Sequence, residues 1–370
     1  VVIPPPTNTP PLASTSYYML TVDSTKLYNL GCEVGKLDQT LAGYRDTVVV
    51  LDFGSPVIIN SQYGTDLFWY ADVNLGQIAA AAQNFGKGYY VCAGTDRTSH
   101  VYIGIGTTNY STKFTTTNWR EHGVAWGKMV NDVNTWFKNN GYASQVHAIG
   151  AIDIELSWNT ATNSRAWVDG YDSVNLYDYY NFGTLDGCAY TYQSTYCANG
   201  WTRIDALYTS FGPLPAFPLP EIYRIDGVNA RQWAMLSVFS VSYYGVPMDF
   251  VGVFTQWKAC QQASPDQCID LGLDNTPSQA WLQLYNELAK NPATAQSPRW
   301  ATDIKWWDNL PFDPLPTATA DVVSASSQDL EQDRINRISA FLKTDGLSEQ
   351  ARKFATGKME SALRIVAERK

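Results

Sequence analysis

The chain is poor in charged residues and contains no long apolar run. Asp, Glu, Lys and Arg make up 16% of its 370 residues, below the roughly one quarter that is usual in soluble domains. No apolar stretch approaches the ~20 residues that a membrane-spanning helix needs, so we expect no membrane span. The 35 acidic and 26 basic residues give a net charge of −9. Phosphate binding requires clustered Lys and Arg, and the absence of a basic run argues against a nucleic-acid partner.

The sequence also lacks the common signatures of metal and cofactor sites. It has three histidines, and its cysteines form no C-x-x-C pair, so a zinc cluster is not expected. We find no H-E-x-x-H motif, no EF-hand loop and no Gly-rich nucleotide-binding loop after a strand. His100, His122 and His147 lack the context of a Ser-His-Asp triad, and we expect them to be structural or on the surface. The sequence therefore predicts neither a metal nor a cofactor.

Aromatic residues are abundant by contrast. They make up 14% of the chain, with 13 Trp and 23 Tyr, and hydrophobic residues reach 45%, enough for a large core. A polar surface with few charges is typical of an extracellular protein that handles neutral polymers, and flat aromatic rings suit sugar rings. We predict substrate contacts from Trp158, Tyr179, Tyr223 and Asn109, with Trp69, Trp126, Trp167 and the Tyr-rich segments 177–180 and 190–196 as further candidates.

The six cysteines favour disulfides and an oxidising compartment. Two pairs are close in sequence and lie in turn-rich segments. The predicted pairs are Cys188–Cys197, Cys260–Cys268 and, by elimination, Cys32–Cys92. The alternative is six reduced thiols.

Composition divides the chain into four segments. Residues 1–16 hold five prolines and many hydroxyl residues, which indicates an extended linker or stalk. Residues 17–310 form an aromatic, low-charge body, and a Pro-rich linker over 311–325 joins it to residues 326–370. That last segment predicts two helices with one apolar stripe each. We expect each apolar stripe to pack on the body, on the other helix or on a partner protein.

Buried-strand patterns alternate with helical ones along the body. Eight runs with helical or loop crossovers predict an α/β fold of the (β/α)8 barrel type, with a doubly wound open sheet as the alternative. The predicted strands are residues 48–54, 89–93, 101–106, 147–155, 176–182, 206–209, 221–224 and 250–254. The predicted helices are residues 74–84, 119–140, 164–172, 230–244 and 277–288.

Carboxylates stand at the ends of predicted strands. Side chains alternate along a strand, so Asp153 and Glu155 point to one side and their Ile neighbours to the other. Asp52 ends the first predicted strand in the same manner. In a barrel, these ends meet at the mouth where catalytic groups are placed, so we expect the acids to converge, with Glu221 as a fourth member.

Glycosidic bond cleavage requires such a pair, in which one carboxylic acid protonates the leaving oxygen and one carboxylate attacks or activates water. Residues two apart on a strand are separated by about 6.6 Å of rise. This spacing leaves both the retaining and the inverting course open. The alternative is structural: the acids bond to loop backbone or pair with Arg165 or Arg224.

The Leu-Asp52-Phe-Gly and Ile-Asp153-Ile-Glu155 strings resemble the secreted, lysozyme-like barrel glycosidases that act on bacterial cell wall, and related glycoside-hydrolase-like domains of actinobacteria. This resemblance implies that Glu155 is the general acid/base, that Asp153 is the nucleophile or orients an N-acetyl group, and that Asp52 is a positioning carboxylate. Across residues 29–310 the chain also resembles uncharacterised secreted actinobacterial proteins. The matching strings are residues 48–56, 150–158, 179–183 and 220–223.

Taken together, these features predict a secreted or cell-surface glycoside hydrolase that acts on a neutral or wall-derived glycan. The competing hypothesis is a non-catalytic carbohydrate-binding or surface-assembly protein on the same scaffold. A protein partner at the C-terminal helices is a further expectation.

Overall fold

The computed structural model describes residues 8–40, 46–191, 194–307 and 330–369. The predicted linker over 311–325 and the first seven residues of the N-terminal segment lie outside the described residues. The elements follow in chain order: β1 (Ser14–Tyr18), α1 (Ser24–Thr40), β2 (Asp46–Asp52), β3 (Ser55–Ile59), β4 (Gln62–Asp66), β5 (Asp72–Asn74), α2 (Leu75–Cys92), β6 (His100–Thr108), α3 (Thr116–Asn139), β7 (Val146–Asp153), α4 (Ala161–Asp172), β8 (Tyr179–Asn181), α5 (Arg203–Phe211), β9 (Ala216–Pro218), α6 (Val228–Tyr244), β10 (Gly252–Thr255), α7 (Trp257–Ala263), α8 (Pro265–Leu271), α9 (Pro277–Ala289), β11 (Trp300–Trp306), α10 (Leu330–Leu342) and α11 (Glu349–Arg369).

Eight parallel strands form one sheet in the order β10-β11-β1-β2-β6-β7-β8-β9. Its two edges meet through a parallel bridge between Glu221 and Phe254. Phe254 N donates to Pro220 O at 2.8 Å and Ile222 N donates to Phe254 O at 2.9 Å. The result is a nearly closed barrel with alternating helices. The predicted (β/α)8 fold is confirmed, and the doubly wound alternative is wrong.

The barrel strands differ from the prediction in six places: residues 89–93, 206–209 and 221–224 are not strands, and β1, β9 and β11 are not among the predicted strands. Residues 89–93 end helix α2, and residues 206–209 lie within α5. Short apolar runs do not distinguish a strand from the buried face of a helix, which explains both errors. Two of the missed strands, β1 and β11, carry polar residues that barrel closure buries. Ser16 Oγ, for example, lies 2.8 Å from Thr302 Oγ1.

These shifts change the position of two predicted features. Because β1 begins at Ser14, the prediction that residues 1–16 are a linker is wrong for their last three residues. Asp52 consequently ends the second barrel strand and not the first. Residues 221–224 follow the short strand β9 instead of forming a strand themselves.

Three disulfides are present with the predicted pairing. Cys32–Cys92 joins α1 to the end of α2, Cys188–Cys197 closes the loop after β8, and Cys260–Cys268 joins α7 to α8. Helices α1 and α2 pack closely: a Cβ on Gly31 would lie 1.9 Å from Phe85 O. This close contact requires glycine.

Strands β3, β4 and β5 form a small antiparallel sheet directly after β2. Because β2 ends at the carboxyl end of the barrel, this sheet lies at the mouth. Within the described ranges, no helix has both the length and the apolar character that crossing a membrane demands.

The C-terminal helices α10 and α11 cover the opposite, amino-terminal end of the barrel. Arg334 in α10 is 1% exposed and pairs with Asp178, directly before β8, at 2.6 Å. Lys358 in α11 donates to Pro213 O and Ala216 O, both at 2.8 Å. The apolar stripe residues Leu330, Ala351 and Ile365 join the main core. The predicted two helices are confirmed, and the barrel itself covers their apolar faces.

The Arg334–Asp178 pair yields the first prediction. Arg334→Ala leaves the Asp178 carboxylate buried without its partner, so we expect the free energy of unfolding to fall by about 3–5 kcal/mol. Arg337→Ala is the matched control. Arg337 lies one turn later and its side chain is 40% exposed, so its loss is expected to cost about 1 kcal/mol or less. Urea unfolding measures the free energy of unfolding of both variants. Equally small losses in the two variants would contradict a structural role for helices α10 and α11.

Candidate functional site

The predicted acids converge at the carboxyl end of the barrel. Asp52 ends β2, Asp153 ends β7, Glu155 follows two residues later, and Glu221 lies just beyond β9. Carboxylate oxygens of Asp153, Glu155 and Glu221 lie within 4.8 Å of one another. The charge of Asp52 raises the pKa values of Asp153 and Glu221, so the fourth acid is also close. We call these four residues the carboxylate cluster.

Asn109 fixes the backbone that carries Glu155. Asn109 N donates to Asp153 O at 2.9 Å, and its side chain accepts from Glu155 N at 3.1 Å and donates to Glu155 O at 3.0 Å. Asn109 is 0% exposed. The prediction that it contacts substrate is therefore not retained, and the residue instead positions Glu155.

Only one member of the carboxylate cluster reaches solvent. Asp52, Asp153 and Glu221 are 0%, 3% and 1% exposed, whereas Glu155 is half-buried. Glu155 Oε1 accepts from Thr184 N at 3.0 Å, and Oε2 accepts from Thr184 Oγ1 at 2.7 Å. Glu155 is therefore the most exposed residue of the carboxylate cluster.

No cation neutralises the carboxylate cluster among the described residues. Arg165 pairs with Asp205 at 2.9 Å and Arg224 pairs with Asp226 at 2.7 Å, so neither serves the structural role that was the alternative. Asp52 Oδ2 and Asp153 Oδ1 have no hydrogen-bond partner in the described structure, and no N–H or hydroxyl group of the described residues donates to Glu221. The carboxyl groups of Glu155 and Glu221 share a hydrogen bond, which raises the pKa of Glu221 and lowers that of Glu155. Buried charges without partners are costly, so these groups favour their protonated forms.

The pKa values follow from this environment. Burial raises the pKa of Asp52 to about 7, opposed by a hydrogen bond from Gly54 N. Burial and then the charges of Glu155 and Asp52 hold the pKa of Asp153 well above its ordinary range. Burial also raises the pKa of Glu155, while its Thr184 donors favour the ionised form. The carboxylate cluster therefore retains protons near neutral pH.

Aromatic side chains form one wall beside the carboxylate cluster. The ring of Tyr18 lies 5.3 Å from Phe68 and 4.6 Å from Trp306. Burial, and then the charges of all four acids, raise the pKa of the Tyr18 phenol, which places it beside them. The sequence prediction missed Tyr18 and Trp306 because it missed β1 and β11. It missed Thr184 because nothing local marks a loop residue that donates to Glu155.

A further acid at this end, Asp303 in β11, has a structural role. Its carboxylate accepts from Thr255 Oγ1 at 2.6 Å and from the backbone N–H groups of Trp257 and Lys258 at 2.8 and 3.0 Å. The two backbone N–H groups belong to the first residues of α7, so Asp303 anchors that helix.

The other predicted contact residues separate into exposed and core groups. Trp158 is 44% exposed and Trp69 is 84% exposed, whereas Trp126 and Trp167 are fully buried. Tyr179 is also fully buried, and its hydroxyl donates to Thr209 O at 2.7 Å, so it is not retained as a substrate contact. Tyr223 is half-buried, two residues after Glu221.

The oxygens of Asp153, Glu155 and Glu221 are also spaced closely enough to share one metal ion. A set of carboxylates alone would suit a hard cation such as Mg²⁺, Ca²⁺ or Mn²⁺. The residues therefore fit a cation, although the sequence did not predict one.

Comparison of the chain with protein-family models, curated proteins and solved structures gives no significant match to any of them. The function must therefore be argued from the geometry of the site.

The raised pKa of Asp52 generates a prediction on stability. A pKa of about 7 in place of 3.8 corresponds to at most roughly 4 kcal/mol. This contribution is full below about pH 4 and is lost as pH rises through about 7. Asp52→Asn keeps an oxygen for Gly54 N and cannot ionise. We expect the variant to be more stable than the wild type at pH 8, with a smaller fall in Tm between pH 5 and pH 8.

Thermal unfolding at the two pH values measures this difference. The control is Asp270→Asn, which alters an exposed carboxylate in α8. A wild-type Tm that falls no more than that of Asp52→Asn would show that Asp52 is ionised in the folded protein.

Proposed function

We propose that the protein is a glycoside hydrolase that cleaves a neutral or cell-wall-derived glycan by carboxylate acid/base chemistry. The observation that carries the proposal is a carboxylate cluster, without a cation among the described residues, at the carboxyl end of a (β/α)8 barrel. Barrel enzymes place their reacting groups at this end. Proton-holding carboxyl groups are what protonation of a glycosidic oxygen requires.

We propose that Glu155 protonates the glycosidic oxygen, because it is the one member of the carboxylate cluster that is not buried. It donates a proton to the leaving oxygen and later takes one from the attacking water. Thr184 holds its carboxyl group through two hydrogen bonds. The orientation of the acid is therefore set before the substrate arrives.

Asp153, Asp52 and Glu221 support that reaction from beneath Glu155. Asp153 passes its proton to Glu155, and the carboxylate that remains on Asp153 stabilises positive charge that develops on the sugar. The oxygens of Asp153 and Glu155 lie within 4.8 Å, closer than the roughly 6.5–9.5 Å that inverting enzymes leave for water. This spacing supports a retaining course.

We further propose that the protein works outside the cell or at its surface. Three disulfides support an oxidising compartment. The low charge and the abundance of Trp and Tyr suit a protein that handles uncharged polymers.

The second candidate function is a non-catalytic carbohydrate-binding protein. The observation that favours it is burial: three of the four acids are at most 3% exposed. In that case the acids would only stabilise the shape of the mouth. Activity of carboxylate variants separates the two functions.

Glu155→Gln tests the hydrolase directly, because the amide can neither donate the proton nor take it back. We expect loss of at least ~100-fold in hydrolysis of peptidoglycan or of neutral oligosaccharides, with little change in Tm. The matched control is Glu33→Gln, which alters a half-exposed glutamate in α1 and should retain full activity. The NMR signal of the first-formed anomer reports retention or inversion.

An inert wild type on the whole panel, with glycan binding intact, would replace the hydrolase with the binding protein. Assays with and without EDTA accompany the series. Loss of activity with EDTA and its recovery with Mg²⁺, Ca²⁺ or Mn²⁺ would assign the acids to a metal ion instead of to proton transfer.

A further inference from the structure

Exposed aromatic side chains are concentrated at one end of the molecule. Seven such side chains occur among the described residues, and six of them lie on loops that follow barrel strands at their carboxyl ends. The six are Trp69, Tyr70, Tyr110, Trp158, Tyr190 and Tyr196. The seventh, Tyr243, lies at the end of α6 near the C-terminal helices. Exposed apolar patches mark interaction sites, and these six aromatic residues lie on loops at the same end of the barrel as the carboxylate cluster.

The first group is attached to the backbone that carries Glu155. Trp158 follows Glu155 by three residues, and the backbone N–H of Trp158 donates to Glu155 O at 3.1 Å. Its ring meets the edge of Tyr110 at 6.2 Å, and Tyr110 comes from the loop after β6. The Trp158 ring thus has an aromatic contact within the protein and is still 44% exposed.

The second group lies on the β4–β5 hairpin, which follows β2. Trp69 is 84% exposed, and its N–H donates to Asp66 Oδ1 at 2.6 Å. The adjacent Phe68 packs against Tyr18 at 5.3 Å and Trp306 at 5.1 Å. Through Phe68 the hairpin is attached to the aromatic wall of the site, and Trp69 projects from it.

The backbone of this hairpin is strained. Phe68 and Trp69 have φ angles of +54° and +66°, a region that favours glycine. Bulky residues persist in such conformations mainly where the strain has a functional role. The packing of Phe68 against the wall accounts for one of them, whereas Trp69 has no equivalent ring contact among the described residues.

We propose that Trp69 and Trp158 are two sugar-binding platforms, and that one extended neutral polysaccharide chain spans both and crosses the carboxylate cluster between them. The inference rests on the proposed function. It adds to that function the substrate class, extended neutral polysaccharides, and cleavage within the polysaccharide chain. The platforms stand on the loops after β2 and β7, one on each side of β6 in the sheet. A chain that contacts both platforms and the carboxylate cluster must hold several sugars, so we expect the site to favour long chains.

The charge of the mouth selects a neutral chain. The carboxylate cluster is joined there by Asp66 and Asp186, and the charge of Asp186 raises the pKa of Glu155. A polymer of uronic acids would bring further negative charge to these groups and be repelled. Uncharged rings, by contrast, can pack their apolar faces on Trp69 and Trp158.

The test measures binding in a Glu155→Gln background, so that hydrolysis does not interfere. The probes are hexasaccharides and disaccharides of β-1,4-linked glucose, xylose and N-acetylglucosamine, together with a hexamer of galacturonic acid. Trp69→Gly removes the ring and suits the positive φ, so its Tm should equal or exceed that of the parent. Trp158→Ala removes the second platform, and Tyr243→Ala is the control at the opposite end.

We expect calorimetry to show that at least one neutral hexasaccharide binds. Each Trp variant should weaken its binding roughly tenfold, and Tyr243→Ala should leave it unchanged. Disaccharide binding should depend on at most one of the two Trp residues. Hexasaccharide binding that neither Trp variant weakens, binding that depends on only one platform, tighter binding of the galacturonic acid hexamer, or no binding of any probe would each overturn the proposal.

The outcomes also separate this proposal from the proposed function. If the wild type hydrolyses no glycan but hexasaccharide binding requires both Trp residues, the hydrolase fails and the platforms stand. If the wild type hydrolyses glycans and neither Trp variant changes KM or binding, the hydrolase stands and the platforms fail.

Discussion

Burial of neighbouring carboxyl groups without a cation is the constraint on which the mouth of this barrel depends. Asp52, Asp153 and Glu221 lie out of water, and no cation of the described residues pairs with them. Such a group cannot be fully ionised, so protons are built into the resting state of the site. Glu155 is set apart by two donors from Thr184 and by its contact with solvent. Burial therefore keeps protons on the carboxylate cluster, while the hydrogen bonds from Thr184 favour the ionised form of Glu155.

The two ends of the barrel differ in whether their buried charged groups have partners. At the mouth no cation of the described residues compensates the acids, which costs stability. At the base, Arg334 and Lys358 from the C-terminal helices satisfy Asp178 and the carbonyls before and within β9. The cations are thus used where they stabilise the fold and are kept away from the acids. This division is typical of barrels that separate stability from function.

The site was more predictable from sequence than the strands that support it. Alternation along a strand suffices to place Asp153 and Glu155 on one side, whatever the partners of that strand are. The strands β1 and β11 carry Ser, Thr and Lys, and only closure of the barrel buries them, so no local pattern reveals them. Tyr179 illustrates the converse limit: an aromatic residue near a strand end looks the same in sequence whether it faces a helix or a ligand.

Pairing of the first and last strands has a consequence for how the chain reaches this structure. β1 pairs with β11, so that Ser14 lies opposite Thr302, with almost the whole barrel between them in sequence. Such a contact closes a very long loop, and loops of this kind slow folding. During synthesis, the early strands have an unpaired edge until the last strand is made. A chain that is destined for export would profit from this delay, because it stays open to translocation until its synthesis is complete.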